Sequence, residues 1–167
     1  MALRTLRILG EDDLLRKKSK PVPAMTGRLR TLLKDMADTM YEAGGVGIAA
    51  PQVGVLKRMF LIDVGEGVKI FVNPEIVALE GSQTGSEGCL SVPGKHATVT
   101  RAEKVTVRAF DENMEPFTLE AEGFFARAIQ HEYDHLDGIL YVDKKEGPLL
   151  DNEADEEEEE TDATDAD

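Results

Sequence analysis

The stretch His131-Glu132-Tyr133-Asp134-His135 constrains this protein more than any other part of its sequence. It ends a segment, residues 123–135, whose apolar side chains cover much of a helical circumference, so the sequence predicts a buried helix here. Because residues four apart lie on one face of a helix, His131 and His135 can point their imidazoles at one ion. Glu132 lies beside the first of them, where its carboxylate can reach a water molecule near the ion without binding the ion itself. Taken alone, the five residues are also compatible with two histidines that only pack in a buried helix.

A third ligand has to come from elsewhere, because a catalytic divalent ion usually has three protein ligands and one open position. No histidine follows His135, and the glutamates after it belong mostly to an acidic C-terminal segment. Upstream, Cys89 is preceded by Gly88, which permits a tight backbone turn, and a thiolate binds divalent transition metals strongly. His96, next to Lys95, is more simply interpreted as a surface residue. The sequence therefore favours Cys89 over His96 as the third ligand, although a lone cysteine taken by itself indicates only a small buried apolar residue.

A glycine-rich run, Gly45-Val46-Gly47-Ile48-Ala49-Ala50-Pro51-Gln52, follows the first predicted helix. It superficially matches the Gly-x-Gly-x-x-Ala fingerprint of dinucleotide-binding proteins, but that fingerprint follows a strand and opens a helix. We interpret the run as an extended edge to which a peptide can add as a strand, since glycine lets another backbone approach closely. A tight turn with packing glycines is the simpler alternative. The amide of Gln52 counts against that alternative, because a polar amide in an apolar run needs a partner.

The remaining elements predict an α+β fold, with short mixed or antiparallel strands around the buried helix that carries the histidines. Apolar side chains recur at helical spacing over residues 27–43, which predicts a first helix. Strands are predicted at residues 58–64, 69–72, 76–79, 105–110, 117–120 and 139–142. The first two of these runs, and likewise the fourth and fifth, are separated by turn-forming residues and are expected to pair as hairpins.

The charge of the chain is concentrated at its C-terminal end. The 167 residues carry a net charge of −14, and residues 151–167 hold eleven acidic and no basic side chains. The first 150 residues contain 22 acidic and 19 basic side chains, a near balance that argues against direct nucleic-acid binding. We therefore divide the chain into a folded domain, 1–146, and an acidic tail, 147–167, which we predict to be disordered because its like charges cannot pack.

Neither membrane insertion nor export is indicated by the sequence. No window approaches the apolar length that a membrane helix needs. Residues 1–10 lack the apolar core of a signal peptide and run directly into Glu11-Asp12-Asp13, which a transit peptide would avoid. We therefore expect a cytoplasmic protein without a membrane partner.

Three segments together resemble the motifs of one known family, the peptide deformylases. They are Gly45-Val46-Gly47-Ile48-Ala49-Ala50-Pro51-Gln52, Glu87-Gly88-Cys89-Leu90-Ser91 and Gln130-His131-Glu132-Tyr133-Asp134-His135, in the family's order. The combination is highly specific, and the resemblance extends over about residues 3–145. It implies a metal-dependent amide hydrolase that removes the N-formyl group from the N-terminal methionine of newly synthesised polypeptides and releases formate. The folded domain 1–146 would then be the catalytic domain.

The resemblance also implies a role for each motif residue. The metal ligands would be Cys89, His131 and His135. In this family the ion is commonly ferrous iron, and nickel, cobalt or zinc can substitute. Glu132 would act as the general acid and base, while the side-chain amide of Gln52 and the backbone N–H of Leu90 would donate hydrogen bonds to the oxyanion. These roles agree with the chemistry that the residues suggest by themselves.

The same resemblance places the peptide substrate around these residues. The backbone at and near Gly47 would hold the peptide as an added strand, and the methionine side chain would lie in a pocket beside His131. Glu87 would lie at the edge of this region. The residues expected to contact the substrate are Gly45, Val46, Gly47, Glu87, Gly88, Phe124 and Ala128.

The C-terminal region departs from the family. Many bacterial deformylases end in a long basic helix, which in some docks on the ribosome. Here Gly147-Pro148 would interrupt such a helix, and the residues that follow are acidic. We therefore expect N-formylmethionyl nascent peptides as partners, with at most transient ribosome proximity and no basic docking helix.

Two other functions stay open at this point. A metallopeptidase would use the two histidines and Glu132 to cut internal peptide bonds, but the missing downstream ligand and the presence of Cys89 count against it. A non-catalytic interaction protein would act through the acidic tail, but the intact Glu132 and Gln52 count against it, because a purely structural metal site needs neither residue.

Overall fold

Antiparallel strands flanked by two helices make up residues 2–11 and 13–152, the part of the chain that this computed structural model describes. The helices are α1 (Gly27–Glu42) and α2 (Gly123–Leu136). The strands are β1 (Gly47–Ala49), β2 (Met59–Ile62), β3 (Lys69–Glu80), β4 (Gln83–Cys89), β5 (Val92–Arg101), β6 (Lys104–Phe110), β7 (Pro116–Glu122) and β8 (Lys145–Asp151). This arrangement is the predicted α+β class.

The strands form two sheets. One sheet has five strands in the order β1-β2-β3-β6-β7, and the other has three in the order β4-β5-β8. Every neighbouring pair is antiparallel. In the five-stranded sheet β1 is an edge strand, so one of its sides is not paired within the sheet.

The short strand β2 lies between the two helices. Its residues alternate, with Met59 and Leu61 in the apolar cluster under α1 and with Phe60 and Ile62 in the cluster under α2. All four are buried, since a helix covers each face of the sheet at this point. The apolar run Met59–Ile62 therefore reflects burial on both faces of β2. Its contacts with α2 hold that helix against the sheet at the level of the histidine motif.

Both predicted helices and both predicted hairpins are confirmed. Helix α1 begins after Thr26, whose side-chain oxygen accepts a hydrogen bond from the Leu29 backbone N–H at 3.2 Å. The hairpins are β2–β3 and β6–β7. The separate strand predicted at residues 76–79 is instead the second half of the long strand β3, which is irregular between Val72 and Glu75.

The last predicted strand, at residues 139–142, is wrong. Gly138 adopts a positive φ of 75° and turns the chain, and Tyr141–Asp143 then forms a 3-10 turn. The Asp143 carboxylate accepts the Leu140 N–H at 2.9 Å, while Leu140 and Tyr141 are buried in a small third core cluster. Their apolar character thus reflects burial in that cluster and not strand pairing.

The domain boundary predicted at residue 147 falls inside a strand and is corrected here. Strand β8 pairs with β5, in a register that places Asp151 opposite Lys95 and Glu146 opposite Thr98. Every residue of β8 is exposed, so the strand depends on backbone pairing, which charged side chains do not prevent. The remaining tail residues, 153–167, lie outside the described residues. In the described part of the chain, no helix has the length and apolarity to cross a membrane.

Gly138 gives a first testable prediction, about stability. A Cβ at this position would lie 2.3 Å from the carbonyl oxygen of Arg16, and the positive φ disfavours any side chain. We expect Gly138→Ala to lower the free energy of unfolding by about 2–5 kcal/mol, from the left-handed backbone and the steric clash together. Urea unfolding of the metal-free protein measures this change.

The matched control is Gly44→Ala. Gly44 has nearly the same φ, 73°, but no described atom beyond its chain neighbours lies within 4 Å of the added Cβ. Its substitution should therefore cost only the backbone term, about 1–2 kcal/mol. Equal losses in the two variants would show that contact with Arg16 is unimportant.

Candidate metal centre

Three side chains from two elements meet beside the five-stranded sheet. Cys89 ends β4, whereas His131 and His135 lie one turn apart on α2. One ligand atom from each residue lies within 4.8 Å of the other two, and the Cys89 Sγ is 3.3 Å from the His135 Nε2. Among the described residues this is the one His, Cys, Asp or Glu group that could hold a metal ion. The donor set, one thiolate and two imidazoles, fits a divalent transition metal.

The charges around His131 also fit a cation. Burial alone would lower the pKa of His131, but hydrogen bonds to Cys89 and Glu87 outweigh burial and raise it well above its usual range. Burial and the charge of His131 lower the pKa of His135, which keeps its imidazole neutral. The surroundings therefore favour a positive charge at this point while supplying an uncharged imidazole ligand, as a metal site requires.

His131 is oriented by Glu87. The His131 Nδ1 lies 2.8 Å from the Glu87 Oε1. Burial would raise the pKa of Glu87, but hydrogen bonds from His131 and Arg101 lower it to about 2, so this carboxylate is ionised and accepts the bond. The proton is thus held on Nδ1, which leaves the Nε2 lone pair for an ion.

Glu87 itself lies at the centre of a buried charged cluster, which consists of Glu87, Arg101, Arg127, His131 and Asp134. Arg101 binds the Glu87 carboxylate through two nitrogens, at 2.5 and 2.9 Å, and reaches Asp134 at 2.9 Å. Arg127 reaches Glu87 at 2.5 Å. Glu87 borders the cavity, as expected for a residue at the edge of the site, and both of its carboxylate oxygens are bound within the cluster, so its contact with substrate stays a prediction.

The Glu132 side chain lies against Gly47 of the glycine-rich run. Burial raises the pKa of Glu132 to about 7, against the lowering effect of the His131 charge, so the carboxyl can gain or lose a proton near neutrality. Its Oε1 is buried with no hydrogen-bond partner among the described residues. A Cβ on Gly47 would lie 2.6 Å from the Glu132 Oε2, which explains why glycine stands there.

Gln52 directs its amide nitrogen toward the same point. Its Oε1 accepts the Ala49 N–H at 2.9 Å, which fixes the orientation of the amide. The Nε2 then lies 3.2 Å from the Ser91 Oγ and 3.6 Å from the Cys89 Sγ. A hydrogen-bond donor is thus held next to the ligands, and the amide has the partners that its burial demands.

A cavity of about 560 Å³ opens over the ligands. Of the residues predicted for the site, those that line it are Gly45, Val46, Gly47, Gln52, Glu87, Gly88, Cys89, Leu90, Phe124, Ala128, His131 and Glu132. His135 lies beneath its floor, fully buried. The structure therefore brings every predicted site residue to one place.

Several residues that shape the site were not predicted. Leu6, Lys95 and Asn152 line the cavity, and the two arginines of the buried charged cluster support it. Arg127 precedes His131 by four residues, a spacing that places both on one helical face, so this signal was available. His96, the rejected ligand, bonds Asn152 at the end of β8 and is not in the ligand group.

Comparison with known proteins decides the family. The family model described as polypeptide deformylase matches residues 6–149. The chain belongs to the polypeptide deformylase family. It is 56% identical over 164 residues to the peptide deformylase of Lachnoclostridium phytofermentans, an alignment that covers 96% of this chain and 100% of that protein.

Solved deformylase structures share the fold. The peptide deformylase of Legionella pneumophila superposes with a TM-score of 0.84 at 49% identity, over 87% of each chain. That of Thermotoga maritima gives 0.85 at 38% identity, over 88% of this chain and 100% of the other. The chain is thus a hydrolase of the peptide deformylase class, which removes the N-formyl group from nascent polypeptides. The metallopeptidase and interaction-protein alternatives are not favoured.

Proposed function

We propose that this deformylase hydrolyses the formamide of N-formylmethionyl peptides with the residues gathered in the cavity, and releases formate. The observation that carries this proposal is the convergence of three ligand atoms, a carboxyl with a pKa of about 7 and an oriented amide donor within one cavity. A formyl group is small, so we expect the site to accept it and to exclude bulkier acyl groups.

Cys89, His131 and His135 would hold one divalent ion, and we propose ferrous iron, with nickel, cobalt or zinc as substitutes. The sulfur of Cys89 and the neutral imidazole of His135 support a soft or borderline transition metal. Held there, the ion would activate a water molecule and polarise the formyl oxygen.

Glu132 would move the proton. Its carboxylate takes a proton from the attacking water and returns it to the amine of methionine as the C–N bond breaks. A pKa of about 7 suits both halves of this exchange, because neither protonation state is strongly disfavoured at neutral pH. The close contact with Gly47 limits where the carboxyl can swing.

The negative charge that develops on the formyl oxygen is stabilised by hydrogen-bond donors. Gln52 Nε2 supports this role by its fixed orientation toward the ligands, and the Leu90 N–H follows directly after the ligand Cys89. Donors that are already oriented in the free enzyme stabilise this charge without a free-energy cost for reorientation during the reaction.

We expect Gln52→Glu to lower kcat/KM by about 100- to 1000-fold. The glutamate keeps an oxygen for the Ala49 N–H but cannot donate at the position of Nε2. Steady-state rates with a formyl-methionyl tripeptide measure the loss.

The control for that variant is Ser91→Ala, which removes the hydroxyl that Nε2 also bonds but leaves the donor in place. Its rate should change by less than about tenfold. If the two variants lose the same activity, Gln52 acts only as part of the packing.

The peptide would bind as an added strand along β1. This strand is an edge of the five-stranded sheet, and Gly45–Gly47, which lead into it, line the cavity, which supports strand addition by the peptide. Val46 and Phe124 are exposed apolar side chains that line the cavity, and the buried Ala128 lines it with them. They offer an apolar pocket for methionine.

We also propose which molecules the enzyme meets in the cell and where it acts. The partners would be nascent formylmethionyl peptides in the cytoplasm, without direct nucleic-acid binding, membrane contact or a basic ribosome-docking helix. Strand β8 supports the last point, because residues 145–151 pair with a sheet where such a helix would otherwise begin.

The proposal is tested by formate release from matched tripeptides. Formyl-Met, acetyl-Met and formyl-Asp peptides of otherwise identical sequence are incubated with iron- or nickel-loaded protein, and internal cleavage is followed by mass spectrometry. Formate from formyl-Met alone, with intact internal bonds, is expected. Internal cleavage, or deacetylation at a similar rate, would contradict the proposed specificity.

A further inference from the structure

The metal ligands belong to two parts of the fold that are packed separately. Helix α2, with His131 and His135, packs on the five-stranded sheet. Cys89 lies at the end of β4, in the three-stranded sheet. The relative position of the helix and the β4–β5 hairpin therefore sets the distance between the thiolate and the imidazoles.

Arg127 bridges these two parts. It lies on α2, yet among the described residues its guanidinium donates only to the hairpin: Nη1 donates to the Glu87 carboxylate at 2.5 Å and to the Val99 carbonyl at 3.1 Å. Its Nη2 donates to the Gln83 carbonyl at 3.4 Å. A Cβ on Gly85 would come within 3.3 Å of the same nitrogen, so the hairpin leaves room for the guanidinium.

The contacts of Arg127 extend through Glu87 to His131, one of the proposed metal ligands. Glu87 accepts Arg127 on one oxygen and the His131 Nδ1 on the other, and Arg127 and His131 are one helical turn apart. The arginine side chain is buried, with only 7% exposed, which keeps water out of these bonds. We propose that Arg127 is a positioning residue that fixes His131 and Cys89 relative to each other through Glu87, and so sets the metal affinity of the site.

The planar geometry of the guanidinium explains why position 127 needs an arginine. One planar guanidinium donates to a carboxylate and two carbonyls at once, whereas a lysine ammonium keeps the charge but cannot reproduce that arrangement. When Arg127 is lost, Arg101 of the hairpin still donates to Asp134 of α2, and Glu87 still bonds the His131 Nδ1, so the hairpin should loosen and not detach.

The test measures metal binding and not turnover, since the proposal rests on the proposed metal site. Co²⁺ alone is the probe, with affinity from chelator competition and geometry from the visible d–d bands and the thiolate charge-transfer band. We expect Arg127→Met to weaken Co²⁺ binding by about 10- to 100-fold, the usual effect of losing an outer partner of a ligand, and to shift the bands. Arg127→Lys should fall between this variant and the unmodified protein.

Arg108→Met is the control. Arg108 is an exposed arginine of the five-stranded sheet, and among the described residues its ion pair is with the exposed Glu75. Its Co²⁺ affinity and spectrum should be unchanged. If Arg127→Met does not fold, Arg127→Lys decides: Co²⁺ affinity equal to that of the unmodified protein overturns the proposal.

A second outcome also overturns it. Arg127 lines the cavity and could contact substrate directly. In that case KM would rise in Arg127→Met while Co²⁺ affinity and spectrum stayed the same. Failure of the deformylase assay itself would leave the Co²⁺ measurements intact, so the two proposals can fail separately.

Discussion

Glu132→Gln is expected to lower kcat by about 100- to 10,000-fold while the metal content stays at that of the unmodified protein. The amide is the same size as the carboxyl and fits the same buried space against Gly47, but it cannot take a proton from water. The pKa of Glu132 is about 7, so its carboxyl exchanges protons near neutral pH. The loss of activity should therefore persist across the neutral pH range. Formate release and metal analysis of the purified variant measure both quantities.

The matched control is Glu75→Gln, an exposed glutamate whose carboxylate pairs with Arg108 on the surface of the five-stranded sheet. Its kcat should be unchanged. A Glu132→Gln variant that keeps full metal and more than about a tenth of the unmodified kcat would exclude proton transfer by this residue.

Cys89→Ala should abolish tight metal binding and lower kcat/KM by at least about 1000-fold. Two imidazoles remain, but a catalytic site needs three protein ligands, and metal chemistry supplies several kcal/mol of transition-state stabilisation. The Cys89 side chain is small and lies at the end of β4, so the fold should survive its truncation. Metal content after dialysis and formate release are the measurements.

Cys89→Asp serves as the comparison for that variant, because it restores an anionic ligand at the same position. We expect it to recover metal binding in part, with a preference shifted toward harder ions. If Cys89→Ala retains one tightly bound ion per chain, the thiolate is not a ligand, and the third ligand must be sought elsewhere.

Features with a strong local signal were predictable from the sequence. The helical periodicity of residues 27–43 and the two hairpins depend on nearby residues, and the structure contains all three. The candidate metal-ligand group was predictable because His131 and His135 carry a helical spacing, and because Cys89 was the best remaining candidate. The structure brings their ligand atoms within 4.8 Å.

Strands with a weak local signal were not predictable. Strands β4 and β8 are rich in glycine and charged residues, with few apolar side chains to reveal a period of two. They form because β5 offers partners on both sides, which only the folded topology shows. The tail boundary at residue 147 was wrong for this reason.

The environment of Glu87 also required the structure. Its partners, Arg101 and Arg127, are 14 and 40 residues away in the chain. Alone in the sequence, a glutamate beside Gly88 is equally compatible with a substrate contact at the surface. Only the two guanidiniums and the His131 Nδ1 around it identify a buried carboxylate that orients a ligand.

If one ion held by Cys89, His131 and His135 makes this chain a deformylase, activity must follow the occupancy of that ion. Metal-free protein is titrated with Ni²⁺ while bound metal and formate release from a formyl-methionyl tripeptide are followed. Activity is expected to rise in proportion to occupancy and to level off at one ion per chain. A folded protein that binds one ion and releases no formate would contradict it.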